Sequence, residues 1–149
     1  MIGLKFRVKN EYNNFLYKIF YSVNVQSYEW EIITDDIVDS GEMDGIFCSE
    51  FVDGQRFFDR IGKESYYMIF VDLKAYYPKC THVEIKNFEE FLESECKIIF
   101  LCVDSELIEI YCKEKSILEK VHENCQKFHF EDVKYISKKE ASKRNMIAF

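Results

Sequence analysis

Residues 96–113 carry the pattern that most constrains the fold of this chain. Two apolar runs rich in β-forming residues, CKIIFLCV and LIEIYCK, flank the short polar break DSE, which is typical of a β-hairpin. Both faces of the first run are apolar, which predicts a strand covered on both sides in the middle of a sheet. The second run has Glu109 on one face, so we expect it to lie nearer an edge.

Other strands follow from the same reasoning. The run YYMIFVDL at residues 66–73 is also apolar on both faces, which predicts a second central strand. Residues 4–8 and 28–34 alternate between apolar and polar side chains and predict half-buried strands. Asp35 and Asp36 then indicate a turn, and residues 131–137 predict a final strand.

Helices are indicated by apolar residues at helical spacing and by capping residues. The spacing predicts a helix over residues 12–23, and Asp53 is expected to cap a helix that ends at Gly62. The spacings Asn87-x-x-Glu90 and Ser116-x-x-Glu119 resemble capping boxes at the starts of two more helices.

This order of elements predicts one α+β (mixed α/β) domain over residues 1–149. We expect a central, mostly antiparallel or mixed sheet of about five to seven strands, with about four helices packed on it. The sequence has no Pro/Gly/Ser-rich linker that would divide it, and residues 138–149 are expected to be a frayed tail.

Composition excludes several classes of protein. With 48% hydrophobic residues the chain is unlike a disordered one, and no apolar run reaches the roughly 20 residues that span a bilayer. The N-terminus does not resemble a signal peptide. None of the six cysteines forms a CxxC pair, which favours reduced, buried thiols. We therefore expect a soluble, cytoplasmic protein without a membrane partner.

Charge is concentrated in an acidic segment, residues 29–53. It holds nine carboxylates and no Lys or Arg, within a chain of net charge −7. An acidic body argues against nucleic-acid binding and is compatible with a basic protein partner. The predicted binding residues are Asp35, Asp36, Asp39, Glu42 and Asp44, with nearby tyrosines of the pairs 66/67 and 76/77. The alternative is that the acidic segment only aids solubility.

Motifs for catalysis are sparse. The sequence has no glycine-rich phosphate loop and no GxSxG, and none of its three histidines is paired at metal-ligand spacing on one helix face, so no cofactor is expected. Asp72 and Asp104 each end a doubly apolar run, and parallel neighbouring strands would bring them to one sheet edge. With Lys74 they form the weak candidate for a metal-dependent hydrolase. The alternative is that both aspartates begin turns.

Several stretches resemble a family of small proteins from spore-forming bacteria that is catalogued as a domain of unknown function. The stretches are LKFRVKNEYNNFLYKI, the Trp30 strand, YYMIFVDLKAY, NFEEFLESECKIIFLCVDSELIEIYCK and ILEKVHENCQKFHFEDVKYI. The resemblance extends to about Ile136 and implies a single intracellular domain. It supplies no catalytic residue and no cofactor.

Three functions remain open from the sequence. The first is a non-catalytic protein-binding module that uses the acidic segment, by analogy of size and charge with toxin-neutralising immunity proteins. The second is the metal-dependent hydrolase built on Asp72, Lys74 and Asp104. The third is a small-ligand sensor with an aromatic pocket. The sequence does not determine the oligomeric state.

Overall fold

One antiparallel sheet of seven strands organises the structure. The computed structural model describes residues 1–39, 45–63 and 65–148. The elements are β1 (Gly3–Arg7), α1 (Phe15–Phe20), a 3-10 turn (Val25–Ser27), β2 (Glu29–Asp39), β3 (Phe51–Asp53), α2 (Gly54–Ile61), β4 (Tyr66–Tyr76), α3 (Phe88–Glu93), β5 (Ile98–Val103), β6 (Leu107–Cys112), α4 (Lys115–Lys127), β7 (Glu131–Ile136) and α5 (Lys138–Ala141). The strand order is β3-β2-β4-β5-β6-β1-β7, which confirms the α+β prediction.

The two doubly apolar runs are neighbours at the centre of the sheet. β4 pairs with β5, with Leu73 opposite Phe100, and β5 pairs with β6 in the predicted hairpin. Residues 98–102 of β5 are at most 2% exposed. β4 is fully covered only from Val71 onward, since Ile69 and Phe70 remain half-buried.

Each face of the sheet carries its own apolar core. On one face α1, α2 and α4 pack in a large core, where Trp30 stacks on Phe57 with ring centroids 3.9 Å apart. On the other face α3, α5 and the C-terminal segment cover a smaller core around Tyr76, Ile99 and Tyr111. No helix within the described ranges is long and apolar enough to span a bilayer.

The structure corrects two local predictions in the N-terminal half. The helix predicted over residues 12–23 is shortened to Phe15–Phe20, because Asn13 forms an antiparallel bridge with Tyr66 instead of a helical turn. Asp35 and Asp36 are not a turn. β2 continues through them to Asp39, since they pair with β4 across two register shifts.

The C-terminal tail is ordered rather than frayed within the described residues, up to 148. Ser137 caps α5 by accepting a hydrogen bond from the Glu140 amide. Met146 and Ala148 are then buried against the smaller core, 0% and 6% exposed. The free energy gained by burying these apolar side chains offsets the conformational entropy that the charged C-terminal segment loses when it packs on the sheet.

The predictions that the tyrosine pairs 66/67 and 76/77 lie at the surface and that the cysteines are buried are partly wrong. Tyr66 and Tyr76 are fully buried, so only Tyr67 and Tyr77 of the two pairs reach the surface. All six cysteines are free thiols, as expected for reduced residues, but Cys48 is exposed and Cys80 is half-buried. Burial raises the pKa of the other thiols, to about 12 at Cys96, so they stay protonated and unreactive.

Candidate functional site

A cleft opens on the smaller-core face of the sheet, beside β2. The register places Glu29 opposite Tyr76, Glu31 opposite Lys74, and Thr34 opposite Asp72. Directly opposed residues of antiparallel strands share a face. The β2 carboxylates and Asp72 therefore line one surface, next to the loop that follows β4.

His82, in that loop, is held between aromatic rings and carboxylates. Its ring stacks on Tyr76 with centroids 3.9 Å apart and meets Phe51 edge-on at 5.2 Å. Its Nε2 lies 2.9 Å from Glu29 Oε1, and its Nδ1 lies 3.5 Å from Glu31 Oε1. These distances suit ion pairs, but the angles do not suit hydrogen bonds, so within the described part of the chain both ring nitrogens and Glu31 Oε1 lack a directed partner. Hydrogen bonds weaken steeply when misaligned, so these contacts leave Glu31 Oε1 able to accept another donor.

The β2 cleft combines negative charge with exposed apolar surface. Its volume is about 350 Å³. Ile33, Phe51 and Val83 at or near its rim are 46%, 45% and 46% exposed. Ile33 reaches the surface because the register shift between Ile32 and Thr34 leaves it unpaired in β2. The lining residues are Glu31, Ile33, Thr34, Asp72, His82, Val83, Glu84, Ile85, Lys86 and Ile147.

Asp72 and Lys74 form a buried ion pair beneath the C-terminal segment. Lys74 Nζ lies 2.5 Å from Asp72 Oδ1, and the side chains are 1% and 2% exposed. Lys74 also donates to the Met146 carbonyl at 2.6 Å, and Asp72 accepts from the Ala148 amide at 3.2 Å. Burial raises the pKa of Asp72, and the Lys74 charge opposes that shift. The ion pair of Asp72 and Lys74 therefore holds the C-terminal backbone on the sheet, and we refer to it as the clasp.

The structure does not bring Asp104 to Asp72. β4 and β5 are antiparallel, and Asp72 lies opposite Leu101 rather than at a shared strand end. Asp104 is in the β5–β6 turn with a φ of +51°, three residues beyond Leu101, or about 10 Å along the strand. Within the described ranges, no three His, Cys, Asp or Glu side chains are grouped so that they could hold a metal ion. The parallel arrangement on which the hydrolase prediction depended is therefore wrong.

The predicted acidic binding residues differ in their surroundings. Asp35 is half-buried and accepts from the Phe47 amide at 3.4 Å, and burial raises its pKa to about 6. Asp36 is exposed, and Asp39 pairs with Lys63 at 2.9 Å. Glu42 and Asp44 lie outside the described residues. No sequence pattern joins His82 to the acidic segment, because its contacts with Phe51, Glu29 and Glu31 depend on strand pairing and on the path of a loop.

Comparisons with known proteins agree with the family resemblance. The family model described as "Protein of unknown function (DUF2691)" matches residues 1–147. The chain is similar to "Uncharacterized protein YncE" of Bacillus subtilis (strain 168), with 37% identity over 140 residues that cover 91% of each chain. No solved structure matches. The family model spans nearly the whole chain, and the chain therefore belongs to the DUF2691 family.

Proposed function

We propose that this protein is a non-catalytic binding module that takes a Lys or Arg side chain of a basic partner protein into the β2 cleft. One observation carries the proposal. The Glu31 carboxylate, 19% exposed, has an oxygen without a directed partner among the described residues, and it lies in a cleft whose rim exposes apolar side chains. A cation that entered there would form a charge-assisted hydrogen bond, while its neighbours on the partner covered the apolar rim.

The apolar rim supplies the area that a stable contact requires. Ile33, Phe51 and Val83 are each nearly half exposed, and removing such apolar surface from water stabilises a complex. Each such side chain contributes about 1 kcal/mol or more when a partner covers it, at roughly 25 cal/mol per Å².

Long-range attraction comes from the remaining carboxylates. Asp36 is exposed farther along the same strand, and Glu50 and Asp53 are exposed on the connection to β3 and in β3 itself. Complementary charge of this kind mainly accelerates association and selects basic partners over acidic ones. The predicted acidic surface and the β2 cleft therefore act together in this proposal.

The test is a titration of isotope-labelled protein with a synthetic peptide of about ten residues that alternates Arg with Leu, followed by NMR. We expect chemical-shift changes centred on Glu31, Phe51 and His82. The variant Glu31→Gln/Glu84→Gln should weaken binding by about tenfold or more, since it removes the Glu31 charge that accepts the cation and the charge of a second carboxylate in the lining of the cleft.

A matched control changes the charge equally at a distant place. Glu119 and Glu123 are exposed on α4, on the opposite face of the sheet. Glu119→Gln/Glu123→Gln should leave the peptide affinity within about twofold, because exposed charges more than about 10 Å away are largely screened at physiological salt. Equal weakening by both double variants, or shifts spread over the whole surface, would overturn the proposal.

A further inference from the structure

A second cleft lies at the opposite end of the sheet, on the same face, where β6, β1 and β7 meet. Its volume is about 340 Å³, at the small end of the range for small-molecule sites. Four of its lining residues are cations and two are carboxylates, in a chain of net charge −7. The charged residues of this β1–β7 cleft are Lys5, Arg7, Lys134, Arg144, Glu109 and Asp132.

Two of the cations are neutralised inside the protein. Lys5 Nζ lies 2.7 Å from a Glu140 oxygen, and Arg144 contacts Glu109 at 2.7 Å and Glu140 at 2.8 Å. These contacts lower the pKa of Glu140. The positive Lys5 and Arg144 and the negative Glu109 and Glu140 therefore neutralise one another along one side of the cleft.

The other two cations are available to a ligand. Among the described residues, Arg7 forms an ion pair with Asp132 alone, at 3.4 Å, and the two side chains are 48% and 70% exposed, so this pair contributes little. Lys134 is exposed and forms no ion pair with any residue in the described parts of the chain.

Strand pairing brings these free cations close to one another and to Lys5. Lys134 on β7 lies directly opposite Lys5 on β1, whose charge is already paired with Glu140. Arg7 lies two residues farther along β1 on the same face, about 7 Å away. Arg7 and Lys134, the two cations that are not neutralised, therefore face a space that one anion could occupy.

A β-bulge shapes the wall of the cleft at this point. The β1–β7 register shifts between Lys5 and Arg7, so Arg7 pairs with Glu131 and Asp132 takes a φ of +54°. Bulges redirect side chains and are common beside binding sites. Here the bulge takes Asp132 out of the regular β1–β7 pairing, at a point between the positions of Arg7 and Lys134.

We propose that the β1–β7 cleft binds a small anionic ligand that carries phosphate or clustered carboxylate groups. The Arg7 guanidinium would supply a two-pronged contact to an oxyanion, and Lys134 would supply a point charge beside it. This proposal does not depend on the β2 cleft or on its basic partner.

The test uses the full chain and two probes, pyrophosphate and citrate, in isothermal titration calorimetry. We expect at least one probe to bind with a Kd below about 1 mM, and Arg7→Gln/Lys134→Gln to weaken that binding by about tenfold or more. Binding of pyrophosphate alone assigns a phosphate ligand, and binding of citrate alone assigns a carboxylate ligand. Lys115→Gln/Lys120→Gln on exposed positions of α4 is the charge-matched control.

A second measurement separates binding from a structural role. Without ligand, Lys134→Gln should unfold at about the same urea concentration as wild type, because among the described residues it removes no ion pair. The proposal is overturned if neither probe binds at about 10 mM, or if the control variant loses as much affinity as the Arg7/Lys134 variant. A clear loss of stability in Lys134→Gln would also overturn it.

Discussion

Lys74→Met tests whether the buried clasp holds the C-terminal segment on the sheet. The substitution keeps the length and apolar stem of the side chain but removes the ammonium group. Asp72 would then keep only the Ala148 amide as a partner, at 2% side-chain exposure. Removing one member of a buried ion pair leaves an uncompensated charge, which costs about 3–5 kcal/mol. That is a large fraction of the 5–15 kcal/mol that stabilises an ordinary domain.

The cost should depend on pH in a defined direction. Burial already raises the pKa of Asp72, and loss of the Lys74 charge would raise that pKa further. The folded variant then gains stability relative to wild type as pH falls and Asp72 takes up a proton. We therefore expect a larger loss of stability at pH 8 than at pH 5.

The assay is urea unfolding followed by the fluorescence of Trp30, the single tryptophan, which is fully buried. Hydrogen exchange at the Ala148 amide reports the C-terminal segment separately. Asp72→Asn/Lys74→Met removes both charges and should be more stable than Lys74→Met alone. Lys120→Met, at an exposed position of α4, should change the free energy of unfolding by less than about 0.5 kcal/mol.

Two results would refute this account of the clasp. One is a loss below about 1 kcal/mol for Lys74→Met, since a buried unpaired carboxylate costs more than that. The other is a double variant that is no more stable than Lys74→Met alone, because the two charges would then not be coupled.

Two further predictions concern β2 and the start of α2. Burial raises the pKa of Asp35 to about 6, above its unfolded value of 3.8. Between these two values the folded state binds one more proton than the unfolded state, so wild type loses stability as the pH rises from 3.8 to about 6. Asp35→Asn should therefore be more stable than wild type at pH 7.5, with the difference shrinking below pH 6 in urea titrations. A difference independent of pH would contradict the assignment. Gly54→Ala should cost about 1–3 kcal/mol, because a Cβ there would lie 2.2 Å from the Gln26 carbonyl oxygen. In the same assay the control Gly62→Ala should be nearly neutral, because the nearest neighbour of its added Cβ is 3.5 Å away. Equal losses in the two variants would show that the loss of glycine's backbone freedom, rather than a lack of space for the Cβ, lowers the stability.

Local sequence patterns predicted the elements wherever burial alone decides them. The apolar runs gave β4, β5 and β6, and the cap residues Asp53 and Asn87 accept the predicted amide hydrogen bonds at 2.9 Å. The Ser116 cap was wrong. The amides of Ile117 and Leu118 both bond to the Glu114 carbonyl, so Ser116 already lies in the first turn of α4. Caps shift by a residue or two when the preceding strand fixes where the chain leaves the sheet.

Contacts between distant residues explain what the sequence left undetermined about the sites. The antiparallel pairing of β4 with β5 separates Asp104 from Asp72, although both follow similar apolar runs. The same sheet brings Glu31 to His82 and sets Lys5 opposite Lys134. Sequence spacing carries no information on these pairs, because strand order and register depend on long-range packing.

Hydrophobic periodicity therefore determined which segments became strands and helices and which strands lie at the centre, since each segment must bury its own apolar face. Only the tertiary structure decided which charged groups meet. The sequence suggested Asp72 and Lys74 as a candidate catalytic pair, whereas in the structure they form the clasp, a buried ion pair beneath the C-terminal segment. The tertiary structure also placed a negative cleft at one end of the sheet and a positive cleft at the other, because the strand order sets β2 and β7 near opposite edges.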